Sequence, residues 1–137
     1  MELKQVLKIP ATFFYSMIIN PVLYDASRYT GHRVRVDQLQ GMQYTRKTSE
    51  NNDDKITITK VIPNRNYTYT SEIGSAKTAI SYVLKPIDAE SFQLIYSEKT
   101  AATTLWDRSK EKVRQFMSDN LRKRNLRRIW NQIEESY

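Results

Sequence analysis

Five segments of alternating apolar and polar residues, each closed by a short turn cluster, are followed by one long amphipathic helix pattern. That order constrains the fold more than any single residue. The segments span about 39–49, 55–62, 66–73, 76–86 and 91–100. Between them stand Asn51-Asn52-Asp53-Asp54, Pro63-Asn64-Arg65, Gly74-Ser75 and Pro86-Ile87-Asp88. These connections are too short for a crossover, so consecutive antiparallel hairpins are expected.

Period-two phasing puts Met42, Tyr44, Ile56, Ile58, Ile62, Tyr67, Tyr69, Ile73, Ile80, Tyr82, Leu84, Phe92, Leu94 and Tyr96 on one face. The opposite face holds Thr57, Thr59, Thr68, Thr70, Glu72, Ser81, Lys85, Gln93 and Ser97, with Val61, Val83 and Ile95 as exceptions. An antiparallel sheet with one apolar and one Thr-rich face needs a cover on one side only.

Upstream, residues 2–9 alternate and read as a first strand, making six. Pro10 ends it and starts a short helix, Ala11 to Ile19. Asn20 as N-cap, Pro21 at the first helical position and Gly31 as a left-handed stop predict a second short helix, Val22 to Tyr29. Residues 32–38 read as an irregular, basic connection.

The segment Thr104 to Ser136 is the cover. Thr104 and Asp107 stand at capping-box spacing, and Leu105, Trp106, Val113, Phe116, Met117 and Leu121 recur at helical spacing. Leu126, Ile129, Trp130, Ile133 and Tyr137 cluster on nearly the opposite side. The switch at 122–125 implies either a kink or break, or an end that packs on a different surface such as another subunit, giving a homodimer. On this reading 104–121 closes the sheet and 126–137 presents its apolar side elsewhere. The fold class expected is α+β, in one domain over 1–137.

Composition bounds the function. The chain of 137 residues has no cysteine, which excludes disulfides, thiolate metal sites and cysteine nucleophiles and suits a cytoplasmic setting. Its start does not read as a signal peptide, and nothing approaches the roughly 20 apolar residues of a membrane span. Net charge is +7, and +4 of it falls within 105–137.

A strand, short helices, a strand meander and a long terminal helix resemble the helix-grip fold of the START-like superfamily, which includes polyketide cyclases and birch-pollen-allergen-like proteins. The run from Leu7 to Ile18, with its Pro10-Ala11 turn leading to aromatics, is similar to that superfamily's opening. More closely, Ile9-Pro10-Ala11, Leu39-Gln40-Gly41, Tyr96-Ser97-Glu98-Lys99 and Ile133-Glu134-Glu135-Ser136-Tyr137 resemble a small family of unknown function from mainly Gram-positive bacteria. The resemblance implies a cavity between sheet and helix and no established activity. It also implies genes placed near sugar-phosphotransferase and phospho-glucosidase genes. Helix-grip members commonly have seven strands, against six here, so a smaller cavity or none is expected.

The candidate ligand residues are Tyr44, Tyr67, Tyr69, Tyr82 and Tyr96, five of nine tyrosines. A dry core would favour Leu, Ile and Val, and a buried phenol needs a partner for its hydroxyl. Arg46, Lys60, Ser71 and Glu98 share the inward phase, where a charge must pair, reach a rim or line a wet cavity. Arg46 with Glu98 is the pair expected, or the polar anchor of a small apolar or amphipathic ligand. The alternative is that these tyrosines simply fill a core and the charges sit at its rim.

Arg122, Lys123, Arg124, Arg127 and Arg128 form the one dense charge run. It reads as a solvated helix face, with an anionic or protein partner as the alternative. The Thr-rich outer sheet face disfavours nucleic acid. His32 stands in a loop, and Asn51–Asp54 lacks calcium-loop spacing. No nucleophile elbow, phosphate loop or paired-histidine motif is present, so neither a catalytic residue, a metal nor a cofactor is assigned. A non-enzymatic binding module ranks above an interaction protein and a cyclase- or hydrolase-type enzyme using Glu98 or a tyrosine.

Overall fold

The computed structural model describes residues 1–47, 53–101 and 105–137, with side chains described outside 105–118. Six strands form one antiparallel sheet in the order β1-β6-β5-β4-β3-β2. They are β1 (Glu2–Leu7), β2 (Gln43–Lys47), β3 (Asp53–Ile62), β4 (Asn66–Ile73), β5 (Ala76–Asp88) and β6 (Ser91–Ala101). The hairpin chain β2 to β6 follows sequence order, and β1 closes on β6 from Glu2↔Ser97 to Leu7↔Phe92. The helices are α1 (Ala11–Thr30) and α2 (Leu105–Ser136).

α1 corrects the expectation of two short helices. It runs unbroken for 20 residues with Pro21 inside. A proline there removes one helical hydrogen bond and costs about 3 kcal/mol in an isolated helix. The stripe Tyr15, Ile19, Val22 and Ala26 continues through it at helical spacing, and tertiary burial of that stripe holds the helix together. Gly31 ends it as expected, at φ 79° with its N–H donated to Ser27 O at 3.0 Å.

β1 is shorter than the alternation suggested. Lys8 N–H donates to Glu134 Oε2 at 2.8 Å instead of to a strand, and Pro10 has no N–H to donate. β3 carries a bulge between Ile58 and Lys60, after which Val61 faces Tyr67 and Ile62 faces Asn66. One extra residue reverses the phase of all that follow. Val61 therefore packs on the core, while Ile62 and Lys60, assigned inward by strict alternation, are exposed. Ile73 also lies exposed, at the strand's end.

α2 continues through 122–125 without a break, spanning about 48 Å at 1.5 Å per residue. Its second half does the opposite of what was expected. Leu126, Trp130 and Ile133 lie on the core of their own chain, and Trp130 is 1% exposed. Leu121, expected under the helix, is exposed. The side chains of 105–118 fall outside the described residues. The same face of α2 fixes β1: Arg127 donates to Gln5 Oε1 and Lys4 O, and Gln5 Nε2 donates to Asn131 Oδ1 at 2.7 Å.

Candidate functional site

The inner face of the sheet has two parts. Around β1 and β6 it is filled: Phe14 meets Phe92 with centroids 5.2 Å apart, and Tyr96 meets Trp130 at 5.6 Å. Leu7, Ile9 and Leu94 complete it, each at most 1% exposed. Around β2 to β5 the sheet and α1 stand apart around a half-open cavity of about 250 Å³. The α1 wall is Met17, Ile18, Pro21, Val22 and Asp25; the sheet wall is Tyr44, Arg46, Ile56, Tyr67, Tyr69 and Tyr82.

The strand registers place that sheet wall. Tyr67 faces Tyr82 across β4 and β5, and Tyr44 faces Ile56 across β2 and β3. The rings form a row: Tyr67 stacks on Tyr69 at 5.0 Å and on Tyr82 at 6.3 Å, and Tyr82 meets Tyr96 edge-on at 5.0 Å. Among the described residues, none of the hydroxyls of Tyr44, Tyr67, Tyr69 and Tyr82 donates a hydrogen bond to protein. Tyr15 and Tyr96 differ, donating to Asn66 O at 2.9 Å and Glu98 Oε2 at 2.6 Å.

Burial raises the pKa of every phenol in this row. Desolvation pushes Tyr44 up to about 12, with the Asp25 carboxylate adding to it. Tyr67 and Tyr82 are pushed further up by the same cause. Tyr69 is raised by burial against the lowering pull of the Arg46 and Arg122 guanidiniums. These hydroxyls keep their protons at neutral pH, so they can donate hydrogen bonds but cannot act as ready bases.

Two ion pairs flank the row, and they are not the pair expected. Arg46 faces Asp54 across the β2–β3 hairpin and its Nη2 donates to Asp54 Oδ2 at 2.8 Å. Asp54 is 2% exposed and its Oδ1 accepts from Ser71 Oγ. Glu98 pairs instead with Arg122, whose Nε donates to Glu98 Oε2 at 2.6 Å. The expected Arg46–Glu98 pair is therefore corrected: each charge has its own partner. Desolvation pulls the Arg122 pKa down, but its bonds to Glu98 and Tyr96 outweigh that and raise it overall.

Of the seven sequence-assigned ligand residues, Tyr44, Arg46, Tyr67, Tyr69 and Tyr82 come together on this cavity. Tyr96 and Glu98 lie beside it, in the filled half of the face. Asp54, missed because it reads as part of a turn, is what orients Arg46. Asp25 was also missed; it continues the Ile18, Pro21 and Val22 stripe at helical spacing, a signal visible once α1 is taken as one helix. The basic run is divided. Arg122 turns to Glu98, Arg127 to β1, and Arg124 and Arg128 are exposed. His32 lies exposed in its loop. Among the described residues, no group of three or more His, Asp or Glu is placed to hold a metal, and no helix is long and apolar enough to cross a membrane.

A six-stranded antiparallel sheet carrying a long C-terminal helix over a partly hollow inner face is the helix-grip fold of the START-like and polyketide-cyclase-like proteins. The chain belongs to the family described as Domain of unknown function (DUF3284), whose model matches residues 1–119. Solved structures agree on the fold. The Zhui aromatase/cyclase from Streptomyces sp. R1128 is 16% identical with a TM-score of 0.60, covering 99% of this chain and 91% of its own. Protein MLL2253 from Mesorhizobium loti is 11% identical with a TM-score of 0.63, covering 98% and 93%. DynU16, a protein in the dynemicin biosynthetic locus, is 12% identical with a TM-score of 0.53 over 85% of this chain, which spans only 42% of DynU16. No curated protein sequence matches.

Proposed function

We propose that this protein binds one small amphipathic molecule in the cavity between α1 and strands β2–β5, without covalent chemistry. One observation carries this: four phenol hydroxyls meet a cavity of about 250 Å³ and, among the described residues, donate to no protein acceptor. Among the described residues no fully buried side-chain polar atom lacks a partner, so these hydroxyls open onto space where water or a ligand can meet them. The volume lies just below the roughly 300–1,000 Å³ of pockets for drug-sized molecules, so the ligand is a small one. Met17, Ile18, Val22 and Ile56 would take its apolar body.

An acid–base enzyme is less well supported. The tyrosines hold their protons, and Glu98 is already engaged by Tyr96 and Arg122. A site for anionic partners on the basic run is weakened by the commitment of Arg122 and Arg127 to their own chain.

Native mass spectrometry of the purified protein tests the reading. The expected result is an added mass that is lost on denaturation and absent from Ile18→Trp, which fills the cavity. An unliganded mass in both proteins, with no stabilisation of either by a small-molecule panel, overturns it.

A further inference from the structure

The cavity reading above leaves the charge of the ligand open, and the arrangement of Arg46, Asp54 and Asp25 decides it. Asp54 is fully committed. One oxygen accepts from Ser71 and the other from Arg46, and 2% exposure leaves it no access to a ligand. Among the described residues Arg46 is committed through Nη2 alone, and its side chain is 52% exposed. A guanidinium has five N–H donors in a fixed fork, so Nε and Nη1 remain for a second planar acceptor. Asp54 thus acts as a brace that aims the guanidinium without occupying it.

The neighbours agree in polarity. The hydroxyls of Tyr44, Tyr67, Tyr69 and Tyr82 keep their protons and can donate toward the same space. Among the described residues the one carboxylate lining the cavity is Asp25, on the α1 wall. It can accept a hydrogen bond from a neutral donor, and it repels a second negative charge on that side.

We infer that the ligand is a monocarboxylate with a compact apolar body and a neutral hydrogen-bond donor at its far end, its carboxylate on Arg46 and its donor toward Asp25. The inference rests on the cavity reading and adds to it the ligand's chemical class.

Calorimetric titration of the full chain with three probes tests it: para-hydroxybenzoate, the neutral para-hydroxybenzamide and the cationic benzylamine. The carboxylate is expected to bind about tenfold or more tighter than the amide, the usual worth of a hydrogen bond to a charged group. In Arg46→Gln that advantage disappears while the amide's Kd changes less than about twofold. Because this variant strands Asp54, the double variant Arg46→Gln/Asp54→Asn, checked for native circular dichroism, repeats the measurement with the buried charge removed. Equal binding of amide and carboxylate, or preference for benzylamine, overturns the inference while leaving the cavity reading standing. A carboxylate advantage that survives in both variants also overturns it. No binding of any probe to the wild type, together with an unliganded native mass, overturns both.

Discussion

The two halves of the sheet's inner face share one apolar phasing and do different things with it. Over β1 and β6 the residues are Leu7, Phe92 and Leu94, and Phe14 and Trp130 descend from the helices to fill the space. Over β2 to β5 the corresponding positions are Tyr44, Tyr67, Tyr69 and Tyr82, and α1 stays far enough away to leave a cavity. Aliphatic and phenyl groups satisfy each other by contact alone. A phenol carries a hydroxyl that contact cannot satisfy, so a tyrosine-rich face tolerates a wet space where a leucine-rich one would collapse.

That contrast can be broken most severely at Trp130. Trp130→Ala in the filled half should cost about 3–5 kcal/mol, seen as a fall in the urea midpoint at constant slope. Next comes Asp54→Ala, which removes the buried acceptor of Ser71 and Arg46. The expected loss is about 1–3 kcal/mol, toward the lower end because Arg46 can turn to water. Tyr67→Phe should stay within about 1 kcal/mol of wild type, since no protein acceptor among the described residues loses a bond. If Tyr67→Phe destabilises as much as Trp130→Ala, the two halves are equally packed and the cavity reading is wrong.

The smallest effect is with pH, because only its onset is reached under workable conditions. Folded-state pKa values of about 12 for Tyr15 and Tyr44 exceed the ordinary value of 10.0. Above about pH 10 the unfolded chain sheds these protons first, so stability present below that pH declines as pH rises toward 12. Urea midpoints taken between about pH 9 and 10.5 should fall, and should fall less in Tyr44→Phe. A midpoint that rises over this range would show that the phenols are not buried.

Much of this contrast was legible in the sequence. The tyrosine row follows from alternation alone, because β4, β5 and β6 keep strict period two across Tyr67, Tyr82 and Tyr96. What alternation could not supply was partnership. Arg46 was matched to Glu98 because both point inward, yet hairpin register sets Arg46 opposite Asp54, which composition had consigned to a turn. Glu98 finds Arg122, and that needs the rotational setting of α2, which sequence left with two opposed apolar stripes. The same ambiguity sent Leu126, Trp130 and Ile133 to a different surface, although they lie on the core of their own chain. The bulge in β3 likewise exchanged Val61 and Ile62, since one extra residue leaves no compositional trace.

The pairing of β1 with β6 has a consequence in time. β1 leaves the ribosome ahead of the other five strands and finds its partner about 90 residues later, and the helix that ties down its other edge comes later still. Until then β1 has no strand beside it. The central meander can zip up hairpin by hairpin as it emerges. The filled half of the inner face can form only once the chain is free as far as Trp130. Long-range closure of this kind slows folding. Truncation within α2 should therefore yield a chain that holds its hairpins and its β1–β6 pairing yet leaves the outer edge of β1 bare and open to association with other chains.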